Sequence, residues 1–237
     1  MMIACFAMFI VQQTGDQFMG TNITGWLGLS PAGFVNRFYF WQLFTYPFLH
    51  GDVLHLVLNL MMLAFIGVEL ESSWGTARFL RYYFFCSSVA GIVYLLLQLL
   101  VWGGQETPMV GASGAIYGLL MAYGLLFGER VMLFMMLFPM KAKHFIWILA
   151  GIEFMSTVFS GRGGLSSAAH VAGMAAGFVY LWAWASLSVM KKRRAAVKAG
   201  RPVKKSRAKG TAQHLRLVIN NEKSDDDDDV DSPRTWH

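Results

Sequence analysis

Six apolar segments dominate this chain of 237 residues. A helix of about 20 apolar residues crosses the hydrocarbon core of a bilayer, because each residue adds about 1.5 Å. The sequence therefore predicts an all-α polytopic membrane protein whose six-helix membrane domain occupies residues 1–190. The segments lie approximately at 1–13, 53–70, 82–102, 109–127, 144–160 and 165–190.

Two apolar runs fall short of a membrane span. The first segment is about a third too short, so we expect a first helix that is truncated or that begins upstream. The run 131–140 is shorter still and ends at Pro139 and Lys141. We expect it to be an interfacial connector or a part of the fifth helix.

Charge is distributed unevenly between the body and the tail. Residues 1–189 hold seven basic and seven acidic side chains, so the whole net charge of +6 belongs to the remainder. The basic tail therefore does not indicate a nucleic-acid-binding domain. We expect residues 191–237 to be a disordered cytoplasmic tail. Its basic stretch, 191–209, would lie along anionic lipids, and its acidic block, 225–229, would remain unfolded.

Loop charges predict the orientation of the helices. Basic residues cluster in the loops 71–81 and 128–143 and at the start of the tail. Cytoplasmic loops carry an excess of Lys and Arg, so we expect these regions and both termini on the cytoplasmic side. The second, fourth and sixth helices then begin at the outer face.

This topology brings four polar residues to a similar depth. Ser113 and His170 lie about one turn inside the fourth and sixth helices, and His55 and Asn59 lie in the first two turns of the second. At 1.5 Å per residue, all four are within about 10 Å of the outer helix ends. Polar residues inside membrane segments are costly and usually functional.

A Ser hydroxyl becomes a nucleophile when a base lies within hydrogen-bond reach. His170 is the only histidine in the sixth helix, and Tyr117 lies one turn below Ser113, where it could orient the imidazole. The sixth helix contains no acid deep in the membrane, which favours a dyad over a triad. Small residues allow the close helix approach that this pairing needs. They form ridges at Gly114 and Gly118 and at Ala169, Gly173 and Gly177.

Acyl transfer also needs donors for the developing oxyanion. His55 and Asn59 are four residues apart and share one helical face. The backbone N–H of Ser113, near a helix start, is a third donor. His50 precedes the second helix and could line the same cavity.

Each of these residues has a simpler interpretation. A single Ser in a membrane helix usually serves packing, and so do most small-residue ridges. His50, His55 and His170 could together bind a metal or haem, although no Cys or carboxylate neighbour completes such a site. Glu153 is the only acid deep in an apolar run, and it could relay protons in a transporter or pair with a neighbour.

The polar residues described above belong to four short motifs: Leu49-His50, His55-Leu-Val-Leu-Asn59, Gly111-Ala112-Ser113-Gly114 and Ala169-His170-Val171-Ala172-Gly173. Taken together, these motifs resemble those of the rhomboid family of intramembrane serine proteases, over residues 1–190 and all six helices. Glu69-Leu-Glu71 followed by Gly75 also looks like the family's junction between helices two and three. The stretch 138–143 looks like the form of this loop that is common among bacterial members.

The resemblance implies a role for each residue. Ser113 would be the nucleophile and His170 the general base, without metal or cofactor. His55, Asn59 and the Ser113 N–H would form the oxyanion hole. Supporting roles would belong to His50, Gly111 and Tyr117 at the site and to Glu71, Gly114, Gly118, Gly173 and Gly177 in the bundle. The outer loop departs from the family at Trp41-Gln42, where the family carries Trp-Arg.

The sequence thus predicts an intramembrane serine endopeptidase that cleaves transmembrane segments near the outer face of a bacterial inner membrane. Its expected partners are membrane-protein substrates and lipids, and not nucleic acid. The rival hypothesis is a catalytically inactive relative that binds membrane clients. Such a protein would be expected to lose Ser113 or His170, and this chain keeps both.

Overall fold

The computed structural model describes residues 1–101, 108–134, 138–161 and 164–198. The long helices are α1 (Met2–Phe18), α2 (Val53–Trp74), α3 (Thr76–Leu100), α4 (Ser113–Leu126), α5 (Ala142–Phe159) and α6 (Gly164–Lys198). Among the described residues, α2, α3, α5 and α6 up to Ala195 are long and apolar enough to cross a membrane, and α4 is a shorter apolar helix. The prediction of an all-α polytopic membrane protein is confirmed.

Helix α1 extends beyond the apolar run that predicted it. It continues to Phe18, and the polar side chains of its last turns form hydrogen bonds with the segment that follows the helix. Gln12 Nε2 donates to Thr24 Oγ1 at 3.0 Å, and the Asp16 carboxylate accepts the backbone N–H groups of Ile23 and Thr24 at 2.5 and 3.0 Å. The predicted end at residue 13 was therefore too early.

The junction between α2 and α3 is a single residue, Gly75, rather than the predicted loop 71–81. Gly75 has φ +78°, a left-handed conformation that favours glycine. Its N–H donates to the Glu71 carbonyl at 2.8 Å, and the Thr76 hydroxyl donates to the Glu71 carboxylate at 2.8 Å. Glu71 therefore holds both sides of the turn.

A short antiparallel hairpin connects α4 and α5, with strands β1 (Val131–Phe134) and β2 (Phe138–Lys141). The apolar run 131–140 is thus a connector and not a part of the fifth helix. Glu129 anchors the base of the hairpin, where it accepts hydrogen bonds from Lys141 (2.7 Å) and Lys143. These two ammonium groups lower the pKa of the Glu129 carboxyl to about 2.

The long loop between α1 and α2 contains short helices at Ile23–Leu27 and Gln42–Thr45. The side chain of Gln42 is fully buried and organises this loop. Its Oε1 accepts the N–H of Ser30 at 3.2 Å, and its Nε2 donates to the Gly25 carbonyl at 3.1 Å. The buried amide of Gln42 thus bridges two segments of this loop.

Helix α4 lies at the centre of the bundle. Side chains of α2, α3, α5 and α6 pack around it in one apolar core. Leu119 and Leu120 of α4 are fully buried, and the Tyr82 hydroxyl of α3 donates to the Gly118 carbonyl at 2.7 Å. Lipid tails are as apolar as these side chains, so there is little hydrophobic driving force between helices in a membrane. Close packing and interhelical hydrogen bonds hold the helices together instead.

The chain divides into two compact units, Met1–Met190 and Lys191–His237. All the helix contacts and the site described below belong to the first unit. Of the second unit, the described part is the end of α6, up to Lys198. The predicted disordered tail, 191–237, was therefore placed too early, because α6 continues through its basic residues to Lys198; the rest of the tail, with the acidic block 225–229, lies outside the described part of the chain.

Candidate active site

Ser113 and His170 are in direct contact. Ser113 Oγ and His170 Nε2 are 2.8 Å apart and form a hydrogen bond, which links the first turn of α4 to α6. Both side chains are half-buried. Ser113 is the first residue of its helix, so its own backbone N–H has no partner within α4. The same residue therefore carries both the hydroxyl that meets His170 and a backbone N–H that α4 itself leaves without a partner.

The side chains of Ser113 and His170 can meet because glycines bring the backbones of α4 and α6 into direct contact. A Cβ at Gly173 of α6 would collide with the Gly114 carbonyl of α4. A Cβ at Gly177 would lie 3.0 Å from the Gly118 carbonyl, and one at Gly118 would lie 3.1 Å from the Gly173 carbonyl. The glycine ridges thus interlock one turn from the Ser–His pair.

Two further side chains surround the imidazole of His170. The Tyr117 ring is stacked on it, with centroids 4.2 Å apart and planes inclined by 8°. Glu153 of α5 approaches the other ring nitrogen, with 3.1 Å between its Oε1 and Nδ1. That separation is short, but Nδ1 makes no hydrogen bond of good angle among the described residues. The Tyr117 hydroxyl donates to the same Oε1.

Sequence reasoning missed the position of Glu153. Helix α6 itself contains no Asp or Glu, and this carboxylate comes instead from the preceding helix, α5. The signal was present, because Glu153 is the one acid deep in an apolar run, and such residues are usually paired. Its partner could not be chosen without knowing how α5 faces α6.

His55 and Asn59 face the residues that precede α4. A Cβ at Gly111 would meet the Cε1 and Nε2 atoms of His55 at 2.7 Å and Nδ2 of Asn59 at 3.8 Å. Asn59 Nδ2 also donates to the His55 carbonyl at 3.0 Å. An amide nitrogen carries two hydrogens, so one remains for another acceptor. Both donors therefore lie beside the segment that leads into Ser113.

Backbone hydrogen bonds hold that segment in place. The N–H of Gly111 donates to the Tyr46 carbonyl at 3.1 Å, and Leu29 and Met109 exchange hydrogen bonds of 2.8 and 3.0 Å. Gly111 has φ +116°, which a side chain would strain. The loop between α1 and α2 thus fixes the approach to α4, and glycine at position 111 allows the imidazole of His55 to come close.

His50 lies behind His55, outside the spans, and is fully buried. The ring centroids of the two histidines are 5.2 Å apart, and the His50 N–H donates to Gln12 Oε1 at 3.1 Å. Burial lowers the pKa of His50 to about 4, and the His55 imidazole adds to this effect. Within the described residues, no group of three or more His, Cys, Asp or Glu side chains converges as metal ligands would.

These features define an integral membrane protein in which α2, α4, α5 and α6 enclose a serine–histidine pair. Residues 37–186 match the family model described as the Rhomboid domain, and this match spans more than half of the chain. The chain therefore belongs to the rhomboid family.

Two relatives illustrate the family match. The chain is 37% identical to "Rhomboid-like protease 3" of Toxoplasma gondii over 94 residues, which are 40% of this chain and 34% of the relative. It is 29% identical to "RHOMBOID-like protein 7" of Arabidopsis thaliana over 127 residues, which are 49% of this chain and 38% of the relative. The chain thus matches little more than a third of the length of each.

Proposed function

We propose that this protein is an intramembrane serine endopeptidase that cleaves transmembrane segments of other membrane proteins. The observation that carries the proposal is the 2.8 Å contact between Ser113 Oγ and His170 Nε2. Membership of the rhomboid family supports it, as does the similarity to Rhomboid-like protease 3 of Toxoplasma gondii.

In the proposed reaction, His170 Nε2 takes the proton of the Ser113 hydroxyl while Oγ attacks the carbonyl carbon of the scissile bond. The tetrahedral intermediate collapses as His170 donates that proton to the departing amine nitrogen. This step leaves an acyl ester on Ser113. A water molecule, deprotonated by His170, then attacks the ester and releases the carboxylic acid with the free Ser113.

Charge develops on the carbonyl oxygen during both attacks. The donors proposed for it are the Ser113 N–H, the imidazole of His55 and the amide of Asn59. The position of Gly111 beside both side chains supports this assignment, since the oxyanion forms next to the chain segment that carries Ser113. Fixed donors of this kind typically contribute about 10²–10³ in rate each.

The supporting residues have corresponding proposed roles. Tyr117 holds the plane of the His170 ring, His50 packs behind His55, and Gly111 gives room to the oxyanion donors. The glycines 114, 118, 173 and 177 set the distance between α4 and α6, and Glu71 holds the turn into α3.

The proposed orientation follows the loop charges. The hairpin base, with Arg130, Lys141 and Lys143, and the basic residues at the end of α6 would face the cytoplasm of a bacterial inner membrane. Both termini would then be cytoplasmic, with Ser113 near the outer face. In this scheme residues 1–190 form the membrane domain, and the basic tail contacts anionic lipids rather than nucleic acid.

The alternative is a catalytically inactive member of the family that binds membrane clients. Such a protein needs neither a nucleophile nor a base. The short Ser113–His170 contact favours the enzyme, because an inactive relative has no reason to retain this geometry.

The test is labelling of the detergent-solubilised full chain with a fluorophosphonate, together with cleavage of a transmembrane peptide. We expect the wild type to react, and Ser113→Ala and His170→Ala to lose activity to a similar extent. The double variant should be no slower than either single one, because the pair acts as a unit. An unreactive wild type that nevertheless binds the peptide would establish the alternative.

A further inference from the structure

Glu153 is a carboxylate in the middle of the apolar helix α5. Its side chain is only 12% exposed. A carboxylate at such a depth is expensive unless it is paired and hydrogen-bonded. An ionisable residue inside a membrane helix usually has a function, and its partners indicate which function that is.

Both partners of Glu153 belong to the candidate active site. Oε1 accepts a hydrogen bond from the Tyr117 hydroxyl and lies 3.1 Å from His170 Nδ1. His170 Nε2 in turn faces Ser113 Oγ at 2.8 Å. The imidazole therefore has a carboxylate at one nitrogen and a hydroxyl at the other.

This arrangement selects one state of the imidazole. A neutral histidine that accepts the Ser113 proton at Nε2 must carry its own hydrogen on Nδ1. A carboxylate beside Nδ1 favours that tautomer, because it attracts N–H and repels a bare lone pair. Once His170 has taken the second proton, the same carboxylate stabilises the imidazolium at a place where water is scarce.

Among the described residues, Glu153 is the one acid within ion-pair distance of His170. Helix α4 contains no charged residue, and the charged residues of α6 lie at its far end, from Lys191 onward. The Tyr117 hydroxyl is already directed at Oε1, so it keeps the carboxylate in place as well as stacking on the ring. Tyr117, Glu153 and His170 are therefore in mutual contact.

We propose that Glu153 is a positioning residue, which sets the Nδ1–H tautomer of His170 and stabilises its protonated form during proteolysis. The proposal rests on the proposed endopeptidase function and extends its serine–histidine pair by a carboxylate from a neighbouring helix. Glu153 acts through His170 and does not contact the scissile bond.

The test compares Glu153→Gln with the wild type. Glutamine keeps the size of the side chain and an oxygen for the Tyr117 hydroxyl, but it removes the charge. We expect the fluorophosphonate labelling rate and the kcat for a transmembrane peptide to fall by about ten- to a hundredfold. This is less than the roughly 10⁴-fold loss seen where the acid makes a well-aligned hydrogen bond to the histidine. KM and Tm should stay close to the wild-type values.

Glu153→Asp and Glu129→Gln complete the series. Aspartate keeps the charge at a greater distance, so it should retain more of the rate than glutamine does. Glu129→Gln makes the same chemical change in the exposed hairpin base and should leave the rate unchanged. Ser113→Ala reports separately on the proposed function: if the wild type reacts no faster than this variant, the endopeptidase proposal itself fails.

The positioning role is overturned if the wild type is active and the Glu153→Gln variant cleaves at a rate within twofold of the wild-type rate. It is also overturned by a rise in KM at constant kcat, which would place Glu153 in substrate binding. If Glu153→Gln unfolds, the aspartate variant decides. A stable Glu153→Asp protein that is as slow as Ser113→Ala would contradict a role carried by charge.

Discussion

The Tyr117 ring lies parallel to the imidazole of His170, with centroids 4.2 Å apart and planes inclined by 8°. The stack joins the second turn of α4 to α6, and Ser113 of the same α4 face reaches Nε2. Tyr117 therefore fixes the plane of the imidazole that faces Ser113 Oγ. The geometry at the site depends on a ring contact as much as on hydrogen bonds.

Replacing Tyr117 with Leu should lower kcat more than replacing it with Phe, because Phe keeps the stacked ring and Leu does not. Phe removes only the hydroxyl that donates to Glu153, and a lost hydrogen bond to a buried group costs about 1–3 kcal/mol of stability. Peptide cleavage and thermal unfolding should be measured on both variants. Equal kcat values for the two would show that the ring stack has no part in orienting His170.

Gly173→Leu should destabilise the protein and inactivate it together. Its side chain would collide with the Gly114 carbonyl and separate α6 from α4, and with them His170 from Ser113. Overpacking of this kind typically costs about 1–3 kcal/mol or more. The matched control is Gly151→Leu in α5, where a Cβ would meet nothing within 4 Å. The helix contact is refuted if both variants keep wild-type Tm and activity.

Asn59→Ala should lower kcat by about 10²–10³ with little change in KM, because an oxyanion donor acts mainly in the transition state. Asn36→Ala, at an exposed position in the loop between α1 and α2, is the control for the chemical change. Steady-state cleavage of a transmembrane peptide supplies both constants. A large rise in KM at unchanged kcat would assign Asn59 to substrate binding.

His50 should make the fold less stable in acid. Its pKa is lowered to about 4 in the folded protein, while an unfolded histidine titrates near 6.5. Between these values the unfolded chain binds more protons, so stability is present above about pH 6.5 and is lost as the pH falls toward 4. His55 and Asp52, the titratable groups that influence His50, remain in place when it is changed.

Thermal unfolding of the wild type and of His50→Gln should therefore be compared from pH 7 to pH 4. Glutamine does not titrate, so its Tm should decline less steeply than that of the wild type. Identical slopes for the two proteins would show that His50 is not a buried neutral group.

Substrates should carry Gly, Pro or polar residues in the outer third of a transmembrane helix. A helical peptide bond is shielded by its own hydrogen bonds, and the chain must unwind before Ser113 can attack. A poly-Leu span should resist cleavage, and a Gly-Ser pair inserted in its outer third should make it a substrate. Mass spectrometry locates the cut. Efficient cleavage of the uninterrupted span would contradict this requirement.

The positions of the helices and the candidate residues could be predicted from the sequence because both depend on local patterns. An apolar run must span the bilayer with its backbone hydrogen bonds satisfied internally, so hydropathy alone locates α2, α3, α5 and α6. The parity of the helices then places His55, Ser113 and His170 at one depth. No packing information enters either step.

Helix ends and connectors were harder to predict. The extension of α1 to Phe18 depends on Thr24 and on other groups that lie outside the helix. The hairpin at Val131–Phe134 and Phe138–Lys141 depends on pairing between two short strands. Hydropathy describes each segment by itself and does not report these partners.

Hydropathy and loop charge are sufficient to predict a helical membrane protein with Ser113 and His170 at matching depths. The folded bundle was needed to show that these two side chains touch, that Tyr117 stacks on the imidazole and that Glu153 reaches Nδ1 from a different helix. Hydropathy fixes the depth of a residue in the bilayer, whereas its neighbours depend on how each helix is rotated about its axis. That rotation is set by the packing of the whole bundle, including the contact of Gly173 with the backbone of α4.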